Sequence, residues 1–248
     1  MKEHYLGLKF MFSYFTILPI RFKDDDDLSA PTVLASMLFY FPLGGLVLGG
    51  VSLGIFFLLE PLGWLGAVVA AVAYMMLYGF LHTEAIIDVV DAIYAKHSNK
   101  NPYEIIKEPT VGAMGVLWAG AMMLLKIAGI VYLLIHGAYA FFLSILIISR
   151  LGLLLLFSTQ TFRSSFITQI QKGFSLRYLI ASLISFTFIG LWLSGWYFML
   201  LLCFGLLFAY ISTYLLKSKL GFINGDVLGA ILESIEILLI LLGARLWL

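Results

Sequence analysis

The chain has 248 residues, of which 62% are hydrophobic and only 12% charged, and its net charge is +1. An average soluble protein has about 45–50% apolar and about 25% charged residues. These values exclude a soluble globular domain and a disordered chain, because too few polar side chains remain to cover the surface. They also argue against nucleic-acid binding, which usually requires a basic excess. Long, unbroken apolar runs predict an all-α, polytopic transmembrane helical bundle rather than an outer-membrane barrel.

The first predicted element is an N-terminal interfacial segment within residues 1–32. Its apolar stretch from Tyr5 to Ile20 contains Lys9, and no small-residue cleavage site follows Pro19. We interpret it as an amphipathic segment on the membrane surface rather than as a cleavable signal peptide.

Apolar runs of the length needed to cross a bilayer, about 20 residues, predict about seven spans after this segment. The whole chain, 1–248, is predicted to be a single integral membrane domain in contact with the lipid bilayer. The predicted spans are residues 33–59, 62–81, 111–135, 138–157, 178–194, 196–216 and 227–248, and the fifth and sixth are separated only near Gly195.

Basic residues are distributed unevenly between the predicted loops. Twelve of the fifteen lie in the N-terminal segment and in the loops after the second, fourth and sixth spans. Alternation of the spans brings these four segments to one side of the membrane. The positive-inside rule then predicts that the N-terminus and the long loops face the cytoplasm.

The cytoplasmic loop at residues 82–110 contains the most informative acidic pattern. Glu84, Asp88 and Asp91 are spaced i, i+4 and i+7, which places them within about 60° of arc on one helix face. Like charges at this spacing repel one another. Solvent and nearby lysines would offset the repulsion, and so would Mg²⁺, which prefers oxygen ligands and is often held by a few carboxylates together with substrate phosphates. The spacing alone leaves both interpretations open.

Three other polar positions flank the predicted spans. Glu108 precedes Pro109 and is either a fourth carboxylate of the same site or an ordinary exposed glutamate. Asp226 is either the N-cap of the last helix or part of a metal or phosphate site at that positive helix end. His82, at the end of the second span, is interpreted from its position as a hydrogen-bonded interfacial histidine.

Four charged residues, Lys126, Arg150, Glu233 and Glu236, lie inside apolar runs. Each ionised group at the centre of a membrane helix costs about 2.5–3.5 kcal/mol on insertion scales. The sequence therefore predicts that they pair with one another or line a polar cavity rather than face lipid. A structural ion-pair network and a path for substrate or protons both remain open.

In order and spacing, these features resemble the cobalamin synthase family of adenosylcobinamide-GDP ribazoletransferases. Residues 81–92, Leu-His-Thr-Glu-Ala-Ile-Ile-Asp-Val-Val-Asp-Ala, are similar to the family signature Leu-His-x-Asp-Gly-x-x-Asp-x-x-Asp-Gly. Residues 104–108 with Gly112 and Gly115, and the pattern from Gly225 to Glu236, are similar to two further family motifs. Departures from the signature include Glu84 for aspartate and Ala85 and Ala92 for glycine.

The resemblance implies a transferase that joins adenosylcobinamide-GDP to α-ribazole, or its 5′-phosphate, and releases GMP in a late step of cobalamin (vitamin B12) biosynthesis. It implies Mg²⁺ as the cofactor, bound by Glu84, Asp88, Asp91 and Glu108. Asp91 or Glu84 would act as general base, and Lys107 would contact phosphate as a third catalytic residue. The substrate-binding residues implied are His82, Lys126, Arg150, Arg163, Asp226, Glu233 and Glu236.

Two alternatives remain at this stage. The acidic motif is also similar to that of CDP-alcohol phosphotransferases, but the chain lacks their Asp-Gly-x-x-Ala-Arg opening and their later Gly-x-x-x-Asp-x-x-x-Asp. A transporter would concentrate its site near mid-membrane in interrupted helices, whereas most carboxylates here are predicted at one interface. The sequence does not set the oligomeric state, the lower base or the choice between ribazole and its phosphate.

Overall fold

The computed structural model describes residues 2–96 and 100–247, which form twelve α-helices and no β-strand, as an all-α fold requires. Residues 97–99 of the polar turn and Leu248 of the predicted last span lie outside the described residues. The helices are α1 (Lys2–Phe15), α2 (Pro31–Phe39), α3 (Phe41–Leu58), α4 (Trp64–Leu77), α5 (Leu81–Lys96), α6 (Pro102–Ile105), α7 (Ala113–Ile135), α8 (Tyr139–Thr159), α9 (Ser165–Lys172), α10 (Leu176–Ser194), α11 (Tyr197–Leu220) and α12 (Gly225–Trp247).

Six of the described helices are long and apolar enough to cross a membrane, namely α3, α7, α8, α10, α11 and α12. Their mean hydropathy ranges from 1.7 to 2.4. The break between α10 and α11 falls at Gly195, whose φ of 60° lies in the left-handed region that glycine tolerates. The prediction of a polytopic helical membrane protein is confirmed.

The first two predicted spans need correction. Residues 33–59 form two helices rather than one, and Pro42 stands at the start of the second, where a missing N–H is tolerated. In the predicted span 62–81, α4 has only 14 residues, and the chain then bends by 74° into α5. Consecutive positive φ angles at Gly79 (63°) and Phe80 (54°) make this bend. The described residues therefore contain six spans, or seven if α4 and α5 are counted as one broken span.

The centre of the bundle is formed by α8 and α12, since 83% and 72% of the residues in their 18-residue apolar stretches are buried. In the corresponding stretches of α10 and α11 only 22% and 28% of the residues are buried. Phe188 and Trp192 of α10 are 73% and 80% exposed, as expected for a surface that faces acyl chains. Arg150 on α8 and Glu233 and Glu236 on α12 are thus enclosed by protein.

The N-terminal helix α1 packs along α2. Leu6, Gly7 and Met11 form its buried face, while Tyr5 is 65% exposed. Tyr14 and Phe15, at the end of α1, line a cavity described below. Its location at the membrane surface stays a prediction.

Candidate functional site

The predicted acidic stripe lies on α5, directly after the 74° bend. Glu84 is exposed, and Asp88 and Asp91 are partly buried. The opposite face of α5 carries apolar residues such as Ile86 and Val89, which are buried against the bundle. Within the described residues none of the three carboxylates forms an ion pair, in contrast to the acidic residues deep in the bundle.

Asp226, in the first turn of α12, adds a fourth carboxylate to this region. We call Glu84, Asp88, Asp91 and Asp226 the acidic surface. The helix is capped by Asn224, whose Oδ1 accepts a hydrogen bond from the Val227 amide at 3.0 Å. The interpretation of Asp226 as the N-cap is therefore wrong, because Asn224, two residues earlier, occupies that position. Asn224 Nδ2 donates to the Asp226 carboxylate at 2.7 Å, which fixes the carboxylate beside the helix end.

The excess of negative charge on this surface affects the pKa of Asp88, whose helix lies outside the six candidate spans. Burial, and to a smaller extent the negative charges of Asp226, Glu84 and Asp91, together raise the pKa of Asp88 from 3.8 to about 6. Such a shift marks a carboxylate whose ionised form lacks a compensating cation.

These oxygen donors suit Mg²⁺, which prefers carboxylates and phosphates as ligands. In residues 2–96 and 100–247 no three acidic, histidine or cysteine side chains are close enough to hold one ion. The predicted ligands Glu84, Asp88, Asp91 and Glu108 are thus not gathered into a preformed cage. An ion held here would need further ligands, and substrate phosphates commonly complete a Mg²⁺ shell.

Asp91 has a second role that the sequence did not reveal. Its Oδ2 accepts from the Gly112 amide at 2.6 Å, and its Oδ1 accepts from the Gly115 amide at 2.8 Å. Asp91 therefore caps α7 from a different helix, and its negative charge complements the positive end of α7. A Cβ atom on Gly112 would lie 2.5 Å from Asp91 Oδ1, and one on Gly115 would lie 2.7 Å from Oδ2. The two glycines admit this carboxylate.

Gly115→Ala should displace Asp91 and lower the stability of the protein by about 1–3 kcal/mol, the usual cost of overpacking. Thermal unfolding of the detergent-purified protein measures this change. Gly120→Ala is the matched control, because a Cβ at this position of α7 meets no atom within 4 Å. Equal unfolding temperatures for the two variants would contradict the assignment.

A pair of cations lies near the same end of α12. Lys107 Nζ is 3.9 Å and the Arg163 guanidinium carbon 3.7 Å from the centroid of the Tyr103 ring. The Arg163 amide donates to the Ile223 carbonyl at 2.7 Å, three residues before Asp226. The sequence analysis selected Lys107 and Arg163 but missed Tyr103, whose i, i+4 spacing to Lys107 was the available signal. Glu108 is exposed beside this pair.

The four charged residues inside apolar runs pair with one another. Lys126 Nζ lies 2.6 Å from Glu233 Oε2 and 2.7 Å from Glu236 Oε2, and Arg150 pairs with the other oxygen of Glu236. All four are at most 2% exposed. The prediction of internal pairing is confirmed, and direct substrate contact by these residues stays a prediction.

Hydroxyl groups complete this buried network. Tyr74 donates to Glu236 at 3.0 Å, and Tyr78 donates to Glu233 at 3.1 Å. Among the described residues every buried polar side-chain atom has a hydrogen-bond partner. The sequence analysis missed both tyrosines, because a tyrosine in an apolar run looks like any other aromatic core residue.

A cavity of about 100 Å³ lies next to the network, between α1, α2, α3, α5, α8, α9 and α12. Its walls are mainly apolar, and its polar residues are Tyr14, His82 and Asp226. His82 is 4% exposed and stacks on Tyr78, with ring centroids 5.2 Å apart. Its ring nitrogens form no hydrogen bond within the described part of the chain, and because no fully buried side-chain atom there lacks a partner, these nitrogens open onto the cavity. The interpretation as a hydrogen-bonded interfacial histidine is wrong, because the bend before α5 turns this residue into the bundle.

These features define an integral membrane protein with an acidic surface, a cation pair and a cavity at one end of its helix bundle. The family model described as cobalamin-5-phosphate synthase matches residues 7–244. The chain belongs to this family and is a transferase of cobalamin biosynthesis, which confirms the resemblance.

Three similar proteins are each named adenosylcobinamide-GDP ribazoletransferase. The protein from Brevibacillus brevis is 32% identical over 217 residues, covering 83% of this chain and 86% of the relative. That from Chlorobium phaeovibrioides is 30% identical and covers 90% of both chains. That from Clostridium perfringens strain SM101 is 28% identical over 98% of both. No solved structure matches this chain.

Proposed function

We propose that this protein joins adenosylcobinamide-GDP to α-ribazole or its 5′-phosphate, releases GMP and requires Mg²⁺. Its family and the names of its relatives support the two substrates. The observation that carries the metal requirement is that four carboxylates form no ion pair within the described residues, namely Glu84, Asp88 and Asp91 on α5 and Asp226 on α12. Burial and the negative charges of its neighbours raise the pKa of Asp88.

In the proposed reaction a ribazole hydroxyl oxygen attacks the phosphorus atom attached to cobinamide. The bond between that phosphorus and the bridging oxygen of the diphosphate breaks, and GMP leaves with this oxygen. The hydroxyl proton passes to a carboxylate of the protein. Such a transfer depends mainly on positioning and on neutralising charge at the phosphate oxygens.

We assign the general base to Glu84 in preference to Asp91. Both oxygens of Asp91 accept backbone amides of α7, so this carboxylate is committed to holding the helix. Glu84 is exposed, and its carboxylate has no hydrogen bond or ion pair within the described residues. It is therefore accessible to a substrate hydroxyl.

Mg²⁺ would be held by Asp88 together with Glu84, the remaining lone pairs of Asp91 and substrate phosphates, and Glu108 is a further candidate ligand. The bound metal ion would neutralise charge on the phosphate oxygens. Lys107 and Arg163 would contact the same diphosphate, since guanidinium and ammonium groups bind phosphate through charge-assisted hydrogen bonds.

The buried network acts on the substrates indirectly in this proposal. Lys126, Arg150, Glu233 and Glu236 tie α7 and α8 to α12, which carries Asp226 at its start. Fixing α12 fixes one wall of the cavity and one carboxylate of the acidic surface. His82 and Asp226 line the cavity itself and would contact substrate directly.

The site is proposed to face the cytoplasm across a bacterial inner membrane. The acidic helix α5, the loop with Lys107 and the loop with Arg163 lie in the segments that hold most of the basic residues. The positive-inside rule places such segments in the cytoplasm, where nucleotides are available.

Purified protein in detergent should release GMP from adenosylcobinamide-GDP when α-ribazole is added. One cobamide should form for each GMP, because the hydroxyl of one substrate replaces the GMP of the other. Absence of GMP release with both α-ribazole and its 5′-phosphate, from a folded protein supplied with Mg²⁺, would contradict the proposed function.

The Mg²⁺ requirement should rise as the pH falls below about 6. Protonated Asp88 is neutral and cannot serve as an anionic ligand, and its pKa of about 6 moves this loss well above the ordinary carboxylate range. The half-saturating Mg²⁺ concentration should increase about tenfold per pH unit below that point, as expected when one proton competes with the metal. A constant requirement down to about pH 5 would show that Asp88 does not bind the metal.

A further inference from the structure

The cavity beside α5 is lined mainly by aromatic and aliphatic side chains, as expected for a site that binds an aromatic ring. Phe15 and Phe41 lie on its wall with ring centroids 4.6 Å apart, and Phe157 lines it from α8. Its volume of about 100 Å³ is of the order of cavities that take an aromatic ring, roughly 150 Å³ in one engineered case. It is far too small for a corrin macrocycle.

His82 is the feature of this cavity that the protein itself leaves unexplained. The residue is 4% exposed, and its ring nitrogens form no hydrogen bond within the described residues. Since no fully buried side-chain atom there lacks a partner, these nitrogens face the open space of the cavity. A ligand in the cavity can therefore form a hydrogen bond with His82.

We propose that this cavity holds the planar heteroaromatic base of the acceptor nucleoside, with His82 hydrogen-bonded to the base. The inference rests on the proposed function and names the part of the acceptor that this site recognises. A base of the benzimidazole type is flat and mostly apolar, and it keeps one ring-nitrogen acceptor after attachment to ribose. One donor from His82 satisfies it.

The alternative occupant is the guanine of the second substrate. Guanine carries several donors and acceptors on its edge, and although Asp226 could accept two of its N–H groups, the other lining residues apart from Tyr14 and His82 are apolar. Burying polar groups without partners is unfavourable. The apolar lining therefore favours the benzimidazole type of base.

Asp226 connects the cavity to the reaction. It lines the cavity, and its charge acts on Asp88 of the acidic surface. A base in the cavity thus places its attached ribose beside the carboxylates, where a sugar hydroxyl would meet the general base. This continuity gives the cavity a positioning role for the acceptor.

A substitution on α8 that fills the cavity tests this inference. Leu153 lines it, whereas Leu155 on the same helix lies on a different groove. Leu153→Phe should weaken α-ribazole binding, measured by isothermal titration calorimetry, by about tenfold or more, in the range of a misfit in an apolar pocket. Leu155→Phe should bind as the unmodified protein does. His82→Phe, which removes the ring nitrogens and keeps an aromatic ring at that position, should also weaken binding and covers the case in which Leu153→Phe does not fold.

Steady-state kinetics separate this inference from the proposed function. The Leu153→Phe variant should show a raised KM for α-ribazole and an unchanged KM for adenosylcobinamide-GDP. An active unmodified protein whose Leu153→Phe and His82→Phe variants bind α-ribazole normally would overturn the inference and leave the function standing. A rise confined to the KM for adenosylcobinamide-GDP, or no α-ribazole binding by the unmodified protein, would also overturn it.

Discussion

Asp88→Asn should reduce GMP release by at least about a hundredfold while the protein stays folded and as heat-stable as before. Loss of an anionic metal ligand impairs metal binding and catalysis by this order or more. Stability should hold or rise slightly, because the substitution removes one of several mutually repelling charges around Asp226, Glu84 and Asp91. Turnover and the unfolding temperature, measured on the same preparation, test both statements.

The matched control is Glu60→Gln, at an exposed carboxylate in the turn between α3 and α4, outside the acidic surface and the family motifs. It should retain full turnover. Full activity of Asp88→Asn with Mg²⁺ present would defeat the assignment. Loss of activity accompanied by a large fall in unfolding temperature would instead make Asp88 a structural residue.

Glu236→Leu should lower the free energy of unfolding by about 3–5 kcal/mol, the usual cost of removing one partner from a buried ion pair. Glu236 pairs with both Lys126 and Arg150 and also accepts the Tyr74 hydroxyl. Without it, two buried cations share the single carboxylate of Glu233. Chemical unfolding in mixed micelles measures the change.

The double variant Arg150→Leu with Glu236→Leu is the informative comparison. It removes one cation and one anion and leaves the Lys126–Glu233 pair, whose atoms are 2.6 Å apart. Replacing a buried pair by apolar side chains is often nearly neutral. The double variant should therefore be more stable than Glu236→Leu alone. If the single variant were as stable as the unmodified protein, the network would have no structural role.

The acidic stripe and the buried pairs were predictable because each follows from local rules. Helical spacing alone places Glu84, Asp88 and Asp91 on one face, and the cost of an unpaired charge in a membrane requires partners for Lys126. The identity of those partners was not predictable, since it depends on which helices meet. Tyr74 entered the network only through the packing of α4 against its neighbours.

Other features depended on backbone geometry that hydropathy does not report. The apolar run across Gly79 and Phe80 reads as one span, although the chain turns there by 74°. That bend directs His82 inward and so creates the cavity site. The capping of α7 by Asp91 likewise depends on the start of α7 lying against the side of α5. Gly112 and Gly115 are compatible with such a close approach, but their presence does not identify Asp91 as the partner.

The carboxylates on α5 are proposed to bind the divalent ion together with the substrate diphosphate, and Mn²⁺ is a direct probe of this site. Electron paramagnetic resonance should detect one bound Mn²⁺ per chain with adenosylcobinamide-GDP present and α-ribazole omitted, so that no transfer occurs. Glu60→Gln should bind Mn²⁺ as well as the unmodified protein does, and Asp88→Asn should bind it at least about tenfold more weakly. Equal Mn²⁺ affinity in all three proteins would contradict the proposed metal site.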